Sequence, residues 1–297
     1  MEQKKRSSFS SRIGFVLAAA GSAVGLGNLW RFPYLAARYG GGIFLLVYLI
    51  LALTFGFSLM ITEIAIGRKT RLSCIGAYKA LDKRFGFLGW LAAFVPFIIT
   101  PYYCIIGGWV TKYMVSYVTD APADVANGSS FFSTFITSPE ASSLFMLVFM
   151  AAAFLVVSLG VKGGIEKANL VMMPLLLVAA VAIAIYVATF PGAADGIAYY
   201  LTPDFSKFSP ELVVGALGQM FYSLSLAMAI MVTYGSYVPK SENLAKSAGW
   251  ICALDTLVAV MAALAIVPVV MITQGEEGLG MGGGFAFISL PAMFAEL

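Results

Sequence analysis

Histidine is absent from this 297-residue sequence, which removes imidazole from any catalytic or metal-binding scheme. Charge is scarce too. Only 11% of the residues are Asp, Glu, Lys or Arg, where a soluble domain carries about 25%. The three cysteines, Cys74, Cys104 and Cys252, stand far apart in or beside apolar runs. They offer neither a metal-ligand spacing nor a disulfide framework. A net charge of +3 is too small to argue for a nucleic-acid partner. No paired acid, nucleophile or cofactor motif replaces the missing imidazole, so an enzyme is the least supported class. A cleavable leader is not expected either. The basic start (Lys4, Lys5, Arg6, Arg12) runs into an apolar stretch that is too long and ends without a small-residue cleavage pattern. That stretch reads as a retained first span.

What is present is apolar: 60% hydrophobic residues and a mean hydropathy of +0.91. Segments near the roughly 20 residues needed to cross a bilayer fall at Ile13–Arg38, Gly42–Gly67, Leu88–Val118, Ser143–Leu159, Ala168–Phe190, Pro210–Tyr237 and Ala248–Thr273. The chain is therefore expected to be an all-α membrane protein with seven spans. With the N-terminus inside, the cytoplasmic segments collect Lys4, Lys5, Arg6, Arg12, Arg68, Lys69, Arg71, Lys79, Lys83, Arg84, Lys162, Lys167, Lys240 and Lys246. Most acids fall on the other side, where Lys207 is the clearest cation. The positive-inside rule places the N-terminus in the cytoplasm. Arg68–Phe87 reads as a loop with a short interfacial helix, and Ala121–Ser138 as an outer loop containing the formal glycosylation triplet Asn127-Gly-Ser129.

Three features sit badly in plain spans. The first span carries Gly21, Gly25 and Gly27, then Asn28, Arg31 and Pro33. Glycines in a span can simply permit close helix packing. With Asn28 and Arg31 beside them they indicate a broken helix, tolerated in lipid only where it is buried or lines a cavity. The sixth span holds Gln219, Ser223 and Ser225 within Gly218–Ala229. A lone serine there would bond its own backbone, but the cluster indicates a second break. Two broken spans of opposite direction point to an inverted-repeat transporter with its site at the midplane. The third feature is Asp255, inside the seventh span. A carboxylate at that depth costs about 2.5–3.5 kcal/mol and wants a partner. Lys246 lies too close to the span's end, so a bound cation or a helix-packing hydrogen bond are the choices. Glu63 reads as structural, pairing locally near Arg68 or holding broken backbone amides. Arg31 could gate a vestibule, although no acid in these spans is an obvious mate.

Gly-Ser-Ala-Val-Gly-Leu-Gly-Asn-Leu-Trp-Arg-Phe-Pro (Gly21–Pro33), Gly40-Gly-Gly42 and Glu63-Ile-Ala-Ile-Gly-Arg68 resemble the signature of the neurotransmitter:sodium symporter family. Lys162–Lys167, Thr202-Pro-Asp-Phe205, Gly218-Gln219 and Thr233–Tyr237 match it in the same order. The resemblance covers essentially the whole chain. It implies the leucine-transporter-type inverted-repeat fold, with first and sixth spans unwound at mid-membrane. Residues 1–297 then form a single, incomplete transporter domain, with the first repeat at about 10–192 and the start of the second at about 208–297.

The resemblance also implies site residues. A first sodium site would use Ala23, Asn28, Ser223 and Asp255 together with the substrate carboxylate. A second would use carbonyls at Gly21 and Val24 plus residues of an eighth span, so only half of it is here. Oxygen ligands suit this hard cation. The substrate carboxylate would sit on the N–H groups of Leu26 and Gly27, at a helix N-terminus, and on Tyr103. Its ammonium would meet carbonyls near Ala23, Tyr222, Ser223 and Ser225. Ile99, Tyr103, Tyr222, Ser225 and Met228 would line the side-chain pocket. Tyr222 and Arg31 would gate one side; Arg6, Phe9, Glu166, Ser236 and Tyr237 would gate the cytoplasmic side.

The expected activity is sodium-coupled symport of a neutral, apolar or aromatic amino acid by alternating access. Asp255 occupies a position that is neutral in chloride-dependent members, which implies chloride independence; its protonation after sodium leaves would make uptake pH-sensitive. Gly25 stands where monoamine carriers have an acid, leaving room for a substrate carboxylate. Ala227 and Ala229 stand where some relatives have glycine, and their methyls are expected to restrict unwinding or shrink the pocket. The family usually has eleven or twelve spans, so the sequence is expected to be a fragment unable to transport by itself. The expected setting is a prokaryotic inner membrane. The rivals are a transport-inactive scaffold or regulatory subunit with the same fold, and a channel.

Overall fold

The computed structural model describes residue 9 and residues 11–119, 125, 128–280 and 284–294. It is helical throughout, with an isolated bridge between Gly41 and Pro203 and no strand among the described residues. The first span consists of α1 (Arg12–Ala23) and α2 (Gly27–Arg38), bent by 48° at the break. It is followed by α3 (Gly42–Thr70), a short α4 (Cys74–Leu81) and α5 (Lys83–Thr119). Next come α6 (Gly128–Ile136), α7 (Pro139–Ser158), α8 (Val161–Ala188) and α9 (Ala193–Leu201). The sixth span is α10 (Pro210–Ser223) and α11 (Ile230–Gly235); α12 (Leu244–Gln274) is the seventh, and α13 (Phe285–Phe294) follows. Among the described residues, five helices, or six with the bent pair, are long and apolar enough to cross a membrane. Helices α10 and α11 make up the sixth span, interrupted at Leu224–Ala229.

Local chemistry sets the starts. Ser11, Ser209 and Asn243 cap α1, α10 and α12 by accepting the N–H groups of Gly14, Leu212 and Lys246 at 3.0, 3.1 and 3.0 Å. Each such cap is worth about 1 kcal/mol. At the end of α4, the Arg84 guanidinium grips the Asp82 carboxylate at 2.7 Å and holds its carboxyl below the ordinary range.

Burial then separates two kinds of span. Helix α12 packs against α1, α2, α8 and α9, and places Ile251, Asp255, Val258, Ala259 and Ala263 in the core. Helix α7 packs on α5 yet none of its residues is buried. It is a peripheral, apolar helix, and the chemistry lies elsewhere.

Two loop expectations are corrected. Within Ala121–Ser138 the chain forms α6, because Phe132 and Phe135 fall on one helical face and are buried. Phe132 packs on Trp109 and Phe287 with ring centroids 5.2 and 5.5 Å apart. Asn127 lies outside the described residues. Glu166, which the span bounds Ser143–Leu159 and Ala168–Phe190 leave in the connection between them, is helical: Val161–Glu166 is a π-helical first turn of α8, entered through Gly160 at φ +77°.

Candidate functional site

The site is built from the two helix breaks. Helix α1 stops at Ala23, and Val24 turns extended at φ −72°, ψ 117°. The amides that would continue the helix go elsewhere. Gly25 N–H donates to Asn28 Oδ1 at 3.1 Å, and Asn28 N–H to the Gly25 carbonyl at 3.0 Å. The carbonyls of Gly21 and Val24 thereby lose their regular helical donors, which frees oxygen at the break. In the sixth span Leu224–Ala229 is non-helical, with Ser225, Ala227 and Ala229 at φ 54°, 58° and 63°. The alanine methyls at 227 and 229 do not hold this stretch in a helix, contrary to expectation. The left-handed conformation costs an L residue roughly 1–2 kcal/mol, so the surroundings must hold it. Glu63 Oε1 does so by accepting the Ala227 N–H at 2.7 Å, and Ser225 Oγ donates to the Ser22 carbonyl at 3.2 Å. Glu63 thus takes a broken backbone amide, while Arg68 donates to the Glu242 carbonyl at 2.6 Å instead of pairing with it.

Asp255 joins the breaks. Its side chain is fully buried and receives Asn28 Nδ2 at 2.8 Å and the Ser223 hydroxyl at 2.9 Å. Tyr48 donates its hydroxyl at 3.4 Å, a contact that sequence reasoning missed because a tyrosine in an apolar span carries no signal. Asn28 presents its NH2 to this cluster, whereas the resemblance implies an oxygen there. Asn28 Nδ2 also reaches Ser223 Oγ at 3.1 Å and the Asp255 carbonyl at 2.9 Å. The arrangement gathers oxygens around one buried anionic group, and oxygen is the ligand that hard cations take.

A cavity of about 300 Å³ adjoins the breaks, lined by Ile99, Tyr103, Tyr222, Ser225 and Met228 with Ser22. The Tyr103 and Tyr222 rings stand 6.1 Å apart. Among the described residues, none of those lining it is charged. A second cavity of about 350 Å³ continues from it past Met228 and Ile230 to Tyr234 and Tyr237. Gly27 lies beneath the Tyr222 ring, where a Cβ would stand 3.0 Å from Cδ1. The Leu26 side chain points away, into a separate cavity with Trp30 and Phe287; only its backbone is at the break.

Arg31 finds an amide and an aromatic face in place of an acid. It donates to Gln219 Oε1 at 2.9 Å and lies 5.3 Å over the Tyr222 ring. Gln219 Nε2 in turn donates to the Gly27 carbonyl at 2.8 Å, which ties α2 to α10.

At the end of the bundle where α1 begins, Phe9 is buried with ring centroids 5.4, 6.0 and 6.4 Å from Phe15, Tyr234 and Tyr237. Arg71 donates to the Ser236 carbonyl at 3.0 Å. Glu166 is buried against Gly14, where a Cβ would collide with its carboxylate. Arg6 lies outside the described residues. Sequence reasoning missed Glu242, which pairs with Arg12 at 3.1 Å and accepts the Ser247 hydroxyl at 2.6 Å. An isolated Glu in a basic loop gave no sign of this.

A family model described as the sodium:neurotransmitter symporter family matches residues 6–134 and 131–296. The chain is 37% identical to the sodium-dependent transporter YhdH of Bacillus subtilis (strain 168), over 100% of this chain and 66% of that protein. It is 28% identical to the sodium-dependent neutral amino acid transporter B(0)AT2 of Bos taurus, over 88% of this chain and 40% of that one. Its fold matches the crystal structure of MhsT in complex with L-phenylalanine at a TM-score of 0.92 and 37% identity, covering 98% of this chain and 67% of MhsT. The chain spans about two thirds of the length of YhdH.

Proposed function

Because the chain belongs to the sodium:neurotransmitter symporter family, a family of transporters and not of enzymes, we propose that the complete protein carries a neutral, apolar or aromatic α-amino acid into the cell with sodium, by alternating access and without chloride. The observation that carries this reading is the buried Asp255 carboxylate, held by Asn28 and Ser223 from the two broken spans. It supplies fixed negative charge where a cation and a substrate would meet. The described residues lining the cavity beside it are mainly apolar and aromatic, and none is charged, which favours a neutral side chain. The names of B(0)AT2 and of the phenylalanine complex of MhsT support the same substrate class.

In this reading Ala23, Asn28, Ser223 and Asp255 hold one sodium with the substrate carboxylate, and the freed carbonyls of Gly21 and Val24 contribute to a second. Leu26, Gly27 and Tyr103 receive the carboxylate. Carbonyls near Ala23, Tyr222, Ser223 and Ser225 receive the ammonium, and Ile99 and Met228 meet the side chain. Arg31 and Tyr222 close the outer side. Phe9, Glu166, Ser236 and Tyr237, joined by Arg6, close the inner one. The N-terminus is cytoplasmic, in a prokaryotic inner membrane. Residues 1–297 are one transporter domain: a first repeat at about 10–192 and the start of a second at about 208–297. After sodium leaves, Asp255 takes a proton, which makes uptake pH-sensitive.

The test is uptake of labelled L-phenylalanine and L-leucine into proteoliposomes holding the full-length protein. An inward sodium gradient should drive saturable accumulation, unchanged when gluconate replaces chloride. Accumulation that ignores sodium, or that requires chloride, contradicts the proposal.

A further inference from the structure

The Asn28 side chain is fully buried and faces opposite demands at its two ends. Its NH2 lies within 2.8–3.1 Å of the Asp255 carboxylate, the Asp255 carbonyl and the Ser223 hydroxyl. Its oxygen accepts the Gly25 N–H at 3.1 Å, in the break of the first span. These partners fix the orientation. Turned over, the amide would set its oxygen against the two oxygens of Asp255 and its NH2 against the Gly25 N–H, acceptor on acceptor and donor on donor. A cation held between Asn28 and Asp255 reverses that preference, because both groups must then offer oxygen.

We propose that Asn28 is a two-position switch through which sodium uncovers a binding group for the substrate carboxylate, an inference that rests on the symport reading above. In one position the NH2 is tied to Asp255 and the oxygen masks the Gly25 N–H. In the other the oxygen ligates sodium. The Gly25 N–H and the Asn28 NH2 then converge without an acceptor. An unpaired buried donor is costly, and the carboxylate of an α-amino acid can accept from both. The place is right for it: a Cβ on Gly25 would stand 3.4 Å from the hydroxyl of Tyr103, which lines the cavity. Sodium thus prepares the carboxylate site, and by reciprocity the carboxylate tightens sodium. Gly25 becomes a third backbone donor beside Leu26 and Gly27, available only when the cation is bound.

The experiment uses the full-length protein in lipid nanodiscs, labelled with ¹⁵N at asparagine side chains and glycine amides. Signals are assigned by loss of the Asn28 pair in Asn28→Ser and of the Gly25 amide in Gly25→Ala. Replacing choline by sodium, with no amino acid present, should move both the Asn28 NH2 pair and the Gly25 amide. Adding L-phenylalanine should then shift the Gly25 amide further. In parallel, sodium should raise the affinity for L-phenylalanine at least about tenfold, a usual size for such coupling. In Asn28→Asp, oxygen faces both ways and Gly25 stays masked, so the gain should fall below about threefold. Two outcomes overturn the switch alone: sodium binds and strengthens L-phenylalanine binding while the Asn28 and Gly25 signals stay put, or Asn28→Asp keeps the full gain. If sodium does not affect L-phenylalanine binding to the wild type, the symport reading fails and the switch with it.

Discussion

The two broken spans reach the same result by different chemistry. In the first, glycines stand at 21, 25 and 27, and Gly25 is not among the residues forced into the left-handed region. The break is capped from within, by Asn28 three residues on. In the sixth, Ser225, Ala227 and Ala229 all take positive φ, and the N–H at its centre is held by Glu63 from a different span. One break is permitted by its own sequence; the other is imposed by its neighbours. An interrupted helix can therefore be local property or tertiary property, and the two should respond differently to substitution.

The largest expected effect comes from removing the external support. Glu63→Ala strips the acceptor from the Ala227 N–H and should cost about 1.5–3 kcal/mol, the range for a hydrogen bond to a charged group. Thermal unfolding in detergent would register this as a clear drop in Tm, and an unchanged Tm would mean the sixth break supports itself. Next is Gly21→Ala. A Cβ there collides with Asn169 Oδ1 and stands 3.1 Å from Met173 Cγ, and such overpacking costs about 1–3 kcal/mol. The second change Asn169→Ala should recover most of the loss, so a double-mutant cycle shows whether the first break leans on α8 at all. Ala227→Gly should act in the opposite sense. Relief of a left-handed alanine, less the extra entropy of glycine in the unfolded chain, leaves a gain of about 0.5–1 kcal/mol. Destabilisation by this change would remove the claim that strain is stored there. Smallest is Gly25→Ala, which should leave stability within about 1 kcal/mol. Its methyl meets the Tyr103 hydroxyl at 3.4 Å, so ligand binding should weaken while Tm holds.

That contrast also explains what could be read in advance. The first break was legible because glycines with Asn28 and Arg31 are costly in a lipid-embedded helix unless they have a use. The depth of Asp255 was legible for the same reason. The sixth break showed only through Gln219, Ser223 and Ser225, and its alanines pointed the wrong way, since the force that unwinds it comes from Glu63 some 160 residues earlier in the chain. Tyr48 could not be found, because a tyrosine in a hydrophobic run looks like packing until Asp255 is placed beside it. The partner of Arg31 was sought among acids, yet an amide and a ring satisfy it. Helix α6 escaped because its apolar face is short and lies between polar residues. Composition and periodicity report costs paid within one segment; pairings between segments appear only when the helices are packed.

The account stands most directly on Asp255 as the place where sodium and amino acid meet. Equilibrium binding of L-phenylalanine to the full-length protein, in sodium and in choline, should be measured for the wild type and for Asp255→Ala that is verified as folded. Sodium should strengthen binding at least about tenfold in the wild type and have no effect in the variant. Binding to the wild type that is the same in both salts, or a variant that keeps the full sodium response, would contradict it.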